Sequence, residues 1–143
     1  MNKDLQAIKD LGRGVSSYTL KLMQDRLAIC RLPPGSSIPE WAWKGRFSAV
    51  IRTPNEMTVV CDDQLIPDNE IAVSGWRALE VQGPLDFSEI GVLASLSHPL
   101  AGAGVSIYAL STYDTDYLLV KEGALLTAIK ALRAAGHTVH ADA

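Results

Sequence analysis

Apolar positions along the chain change their spacing near its middle. In the first half they recur every second residue in short runs. Tyr18-Thr19-Leu20-Lys21-Leu22-Met23 alternates and predicts a strand with one buried face. Gln24-Asp25 predicts a turn, and Arg26 to Leu32 a second strand that Pro33-Pro34-Gly35 ends. Ser37-Ile38-Pro39-Glu40-Trp41 has the cap and early proline of a short helix. Phe47 to Arg52 and Met57 to Cys61 read as two strands of a hairpin joined by Thr53-Pro54-Asn55-Glu56. Gln64 to Ser74 is polar, contains Pro67 and reads as a connection, which places a subdomain boundary at its end.

The second half alternates strand-like and helix-like spacing. Trp76 to Gln82 predicts a strand that Gly83-Pro84 stops. Asp86 precedes Glu89 by three residues, a pairing that can satisfy the free N–H groups of a helix start. The helix is predicted over Phe87 to Ser97, with Ile90, Leu93, Ala94 and Leu100 near one face and His98-Pro99 as its exit. Ala101-Gly102-Ala103-Gly104 follows as a small-residue loop, then Val105 to Ser111 as a strand. Tyr113 to Asp116 is turn-like, and Tyr117 to Lys121 is apolar enough for a central strand. Glu122 to Ala135 predicts a helix with Leu125, Ile129 and Leu132 on one stripe, Lys130 and Arg133 in its last turns and Gly136 as its stop. His137 to His140 closes as a short strand. The order from Trp76 onward is β-α-β-β-α-β, the ferredoxin-like arrangement of the α+β class, with two helices on one face of a sheet. The N-terminal half looks like a shortened version of the same plan.

Composition narrows the function. Apolar residues are 48% of the 143, enough for a packed core, and charged residues are 20%. The net charge of −3 offers no basic excess for phosphates, so no nucleic-acid partner is expected. No apolar run approaches the ~20 residues of a membrane span. Met1 to Asp10 mixes charges with apolar residues and lacks the core of a secretory signal, so no membrane partner and a cytoplasmic location are expected. Cys30 and Cys61 lie inside apolar runs and read as reduced, buried core residues.

Catalytic and metal motifs fail on inspection. Gly12-Arg13-Gly14 and Gly102-Ala103-Gly104 are fragments of a dinucleotide fingerprint, and the second sits between a helix and a strand, the wrong order for phosphate. It is either a connector or a loop whose backbone approaches a ligand. His137 and His140 would point to opposite strand faces, so no metal site is expected. No G-x-S-x-G elbow exists, and the chain is expected to be neither an enzyme nor a cofactor carrier. Asp114 and Asp116 fit turn formation, an acid–base pair, or contact with an ammonium or guanidinium group. Trp41, Trp43 and Trp76 read as packing anchors.

Gly83-Pro84-Leu85-Asp86-Phe87 and the run Ile107 to Val120, with its Ser111-Thr112-Tyr113-Asp114-Thr115-Asp116 centre, resemble a family of bacterial ACT-domain proteins. Arg52-Thr53 with Glu56, and Trp76-Arg77, fit the same family, which is related to the ACT regions of aspartate kinase and of animal cytosolic arginine sensors. The resemblance covers about Leu20 to Gly136. It implies two ACT-like modules, a degenerate one at 1–74 and a full ACT domain at 75–143. It implies amino-acid or similar small-metabolite binding at a seam between modules, with a homodimer as the expected assembly. The site it implies takes Asp86 and Ser88 from the first turn and Gly102, Ala103, Gly104 and Val105 from the segment before the second strand. From the hairpin it takes Ser111, Thr112, Asp114, Thr115 and Asp116, with Asp114 or Asp116 matching a ligand-holding aspartate. The expectation is a regulatory binding protein without catalysis; the alternative is a structural assembly module with no ligand.

Overall fold

The computed structural model describes residues 16–86 and 89–141. Its strands are β1 (Thr19–Leu32), β2 (Ser48–Arg52), β3 (Met57–Asp62), β4 (Ile71–Val81), β5 (Tyr108–Ser111), β6 (Asp116–Lys121) and β7 (Thr138–His140). Two α-helices, α1 (Val92–Gly102) and α2 (Leu125–Ala134), join short 3-10 helices at Glu40–Trp43, Asp63–Leu65 and Glu122–Ala124. From β4 onward the order is β-α-β-β-α-β, and from β1 to β4 the same order recurs with 3-10 turns in place of helices. The strands hydrogen-bond in the order β2-β3-β1-β4-β6-β5, with β7 beside β1. The ferredoxin-like α+β expectation therefore holds, with β1 lying between β4 and the last strand. No helix among the described residues is long and apolar enough to cross a membrane.

Compact units do not follow sequence order. One is Gln24–Arg77; the other joins Met1–Met23 to Ala78–Ala143. β1 and β4 each run through both.

In the second of these units the core is Leu20 of β1, Leu79 and Val81 of β4, Leu118 and Val120 of β6, and one face of each helix. Val92, Leu96 and Leu100 supply α1's face, and Ala128, Ile129 and Leu132 supply that of α2. These are i, i+3 and i, i+4 spacings, the positions one helix side repeats. Both helices end alike. Gly104 and Gly136 take left-handed φ values of 76° and 98°. Val105 N–H donates to Leu100 O and His137 N–H to Leu132 O, at 2.9 and 3.1 Å, while the glycine N–H groups reach Ala101 O and Arg133 O. This double closure satisfies end carbonyls that the helix leaves open, and residues with a Cβ resist that conformation.

The unit Gln24–Arg77 packs Cys30, Leu32, Ala42, Met57, Val59 and Cys61, with Trp41 and Val50 against them. β2 and β3 form the expected hairpin, Ser48 opposite Cys61 and Arg52 opposite Met57. Thr53 Oγ1 accepts from the N–H groups of Asn55 and Glu56, both at 3.2 Å, and so closes its turn.

Several sequence expectations shift. β1 runs unbroken through Gln24-Asp25, where Arg46 donates to both Asp25 oxygens, at 2.7 and 3.4 Å, and gives a mid-strand carboxylate a partner. β4 starts at Ile71, inside the expected connection. The first helix starts at Val92, after Gly91 at φ 81°, later than expected, and Glu89 N–H donates to Asp86 O at 3.0 Å. Pro99 lies inside that helix instead of ending it. The buried stripe moves accordingly, leaving Ile90 84% and Leu93 43% exposed. Phe87 itself lies outside the described residues.

Leu132 is fully buried and Leu126, on the other side of α2, is 65% exposed. Leu132→Ala is expected to cost about 2–5 kcal/mol, transfer and cavity together. Leu126→Ala is expected to cost less than about 0.5 kcal/mol. Urea unfolding of both variants measures the contrast; equal costs would place the core elsewhere.

Candidate functional site

A backbone hydrogen bond holds the hairpin turn against the segment that leads to α1: Leu85 N–H donates to Asp114 O at 2.7 Å. The Gly83-Pro84 peptide is cis. The buried Thr115 hydroxyl donates to Val81 O at 2.6 Å. Gly83 is required where the two chains meet, since a Cβ there would stand 3.0 Å from Asp114 O and 3.2 Å from Thr115 Cβ. The turn itself repeats the device of the first hairpin. Thr112 N–H donates to Thr115 O at 2.8 Å, and Thr115 N–H donates to Thr112 Oγ1 at 3.2 Å.

An open cavity of about 320 Å³ results. Its walls are Leu85, Asp86, Glu89 and Gly91–Leu93 on one side and Ser111–Asp116 on the other. Four carboxylates line it, and among the described lining residues there is no Lys or Arg. The Ser111 hydroxyl donates to Asp116 Oδ1 at 2.6 Å, across the strand pair that places the two residues opposite each other. The Tyr18 hydroxyl donates to Glu89 Oε1 at 3.2 Å. Asp114 is exposed at the tip of the turn. Gly91 to Leu93, at the start of α1, stand in the same wall, at the end where a helix carries partial positive charge. Such a mixture offers acceptors to a cation and donors to a carboxylate. Among the described residues no group of three or more His, Cys, Asp or Glu is arranged to hold a metal ion.

A second cavity of about 340 Å³ lies on the other side of Gly83, lined by Glu80, Gln82, Pro84, Asp114, Thr115 and Tyr117 among others. The Tyr117 hydroxyl donates to Glu80 Oε2 at 2.9 Å. Burial, then that bond and the Glu80 charge, push the Tyr117 phenol up to about 12. Burial likewise pushes the Cys61 thiol up to about 11 and raises Cys30, so neither is a thiolate at neutral pH.

The structure gathers Asp86, Ser111, Thr112, Asp114, Thr115 and Asp116 around one cavity. Ser88 lies outside the described residues. Gly102, Ala103, Gly104 and Val105 are not in its walls. They sit at the opposite end of α1, about 16 Å along an 11-residue helix, where Gly104 caps the helix and Val105 enters the core. The sequence did not point to Glu89, Gly91 or Tyr18. A glycine directly before an apolar i, i+4 stripe was the available signal for the first two; Tyr18 carried none, being 71 residues from its partner.

The family model described as ACT domain matches residues 71–134, and a family model of an N-terminal domain matches residues 25–69. A crystal structure of an Agobacterium tumefaciens protein is 33% identical, covers 90% of this chain and 96% of its own, and superposes with a TM-score of 0.85. The ligand-free regulatory subunit of aspartate kinase from Thermus thermophilus covers 82% of this chain and 96% of its own, at 16% identity and a TM-score of 0.59, a likeness of fold. The Rattus norvegicus cytosolic arginine sensor for mTORC1, subunit 1, is 39% identical over 105 residues, 71% of this chain and 31% of the sensor. The chain thus spans less than a third of that relative, and 18% of its Bos taurus counterpart.

Gly83→Ala is expected to destabilise the fold by about 1–3 kcal/mol, since the new methyl meets backbone on two sides; thermal unfolding measures it, and an unchanged midpoint would contradict the close approach. A second expectation concerns alkaline pH. Because the Tyr117 phenol rises from 10 to about 12 on folding, the folded protein keeps between those pH values a proton that the unfolded chain has lost. That stabilisation is whole below pH 10 and fades as pH climbs towards about 12. Tyr117→Phe should remove this part of the alkaline decline and leave the part due to Cys61, between pH 9 and about 11. Urea midpoints across that range test it.

Proposed function

The chain belongs to the ACT-domain family, and from that premise we propose that it binds a small amino acid, cationic in side chain, in the cavity between the start of α1 and the Thr112–Thr115 turn. The binding is regulatory, and the chain carries out no reaction of its own. One observation carries this: four carboxylates, those of Asp86, Glu89, Asp114 and Asp116, line a cavity of about 320 Å³ without a lysine or arginine among the described lining residues. A cavity of that size suits a small metabolite. Its charge favours ammonium and guanidinium groups, which pair with carboxylates through charge-assisted hydrogen bonds. The start of α1 offers N–H donors to an α-carboxylate. The likeness to a cytosolic arginine sensor supports the same ligand class. Ser88 and the Gly102–Val105 segment are left outside this site.

The proposal extends to assembly and place. Two ACT-like modules, 1–74 and 75–143, form the chain, which works in the cytoplasm as a homodimer. Ile90, Leu93 and Tyr113, exposed by 84%, 43% and 81%, border the cavity and support its being covered by a second copy. The same three side chains also favour the second reading, an assembly module that docks without a ligand.

Calorimetry against the standard amino acids separates the two. L-Arginine or L-lysine is expected to bind, and Asp114→Asn and Asp116→Asn each to weaken binding by about tenfold or more. Saturation at about 100 times Kd should add about 2.7 kcal/mol of stability. No heat and no stabilisation with any amino acid would sink the binding role and leave assembly.

A further inference from the structure

Tyr18 lies outside the cavity walls, yet its hydroxyl ends on one of them. We propose that Tyr18 is a positioning residue that sets the conformation of Glu89 and, through it, the affinity of the cavity for a cation; the second half of this rests on the ligand class proposed above. Glu89 is exposed, in a segment that is neither helix nor strand. Such a side chain has wide rotamer freedom, and fixing it on binding costs entropy. The Tyr18 hydroxyl removes that freedom by donating to Glu89 Oε1 at 3.2 Å. The other oxygen, Oε2, keeps its lone pairs for an ammonium or guanidinium donor.

Tyr18 can hold Glu89 because it is itself held on three sides. Its ring is 8% exposed and stacks on that of His137, with centroids 5.8 Å apart and planes at 24°. Its N–H donates to His137 Nδ1 at 3.1 Å, and its carbonyl accepts from Thr138 N–H at 2.9 Å. Burial, with the nearby Glu89 charge, raises the phenol, so it stays a donor at neutral pH. The opposite wall uses the same device, where the Ser111 hydroxyl holds one oxygen of Asp116. Two of the four carboxylates are thereby oriented before a ligand arrives, which lowers the cost of binding.

The test uses the full chain and Tyr18→Phe, which keeps the ring and its stacking. In the ligand-free protein, amide hydrogen exchange at 89–93 is expected to speed up several-fold, with Leu118–Val120 of β6 unchanged. No change at 89–93 overturns the proposal, and speeding at both places shows a general loosening and overturns it too. With L-arginine as probe, Tyr18→Phe is expected to bind about tenfold more weakly than wild type. The same change made in Glu89→Ala should cause no further loss; losses that multiply would mean Tyr18 acts otherwise than through Glu89. A wild type that binds neither L-arginine nor L-lysine, with 89–93 still loosened in Tyr18→Phe, upholds the hold on Glu89 and overturns the ligand class.

Discussion

A proline in the second half of α1 removes the N–H that would donate to the Ser95 carbonyl one turn back. The His137 ring meets that oxygen instead, with Nε2 at 3.2 Å. Its other nitrogen, Nδ1, accepts from Tyr18 N–H, so the pair of contacts is met by the neutral ring protonated on Nε2. A single buried imidazole thus ties α1 to the start of β1. The backbone N–H of His137 caps α2 through Leu132 O, and the next residue begins the pairing of β7 with β1. Leaving either contact of such a buried group unmet costs about 1–3 kcal/mol, which is why these segments are fixed together. The Tyr18 ring, stacked on the imidazole, carries that order out to Glu89 and the cavity.

Hydroxyl groups do much of the positioning near the cavity, one between elements distant in sequence and two within the hairpin. Thr115 ties the hairpin to β4, and Thr112 closes the turn between them. Ser111 holds Asp116 across a strand pair. Neutral donors of this kind orient carboxylates without neutralising them, whereas a lysine or arginine would cancel the charge that attracts a cation. The cavity therefore combines a rigid frame with an unspent negative charge. In the proposed binding role this separates two tasks: the frame gives shape, and the carboxylates give selectivity.

Much of the fold was legible in the sequence because the relevant signals are local. Gly136 after a Leu125, Ile129, Leu132 stripe marked the end of α2, and the Thr53–Glu56 turn marked a hairpin. The β-α-β-β-α-β order followed from these. What failed depended on contacts distant in sequence. Gln24-Asp25 has turn chemistry, but sheet partners distant in sequence keep it strand, and Arg46, 21 residues on, meets the Asp25 carboxylate there. Pro99 reads as a helix stop until His137, 42 residues from Ser95, meets the carbonyl it strands. The site divided along the same line. The hairpin aspartates were visible in one contiguous run. The Gly102-Ala103-Gly104 segment lies at the other end of α1, where Gly104 takes the left-handed conformation of a helix end.

β1 is one uninterrupted 14-residue strand whose first residues pair with β7 and whose last pair with β3. Neither half of the gene product, divided in sequence order, carries all the backbone its own sheet uses. Exchanging the segment before residue 75 would replace the stretch of β1 that β7 pairs with, so the two halves of the chain are joined through one shared ribbon.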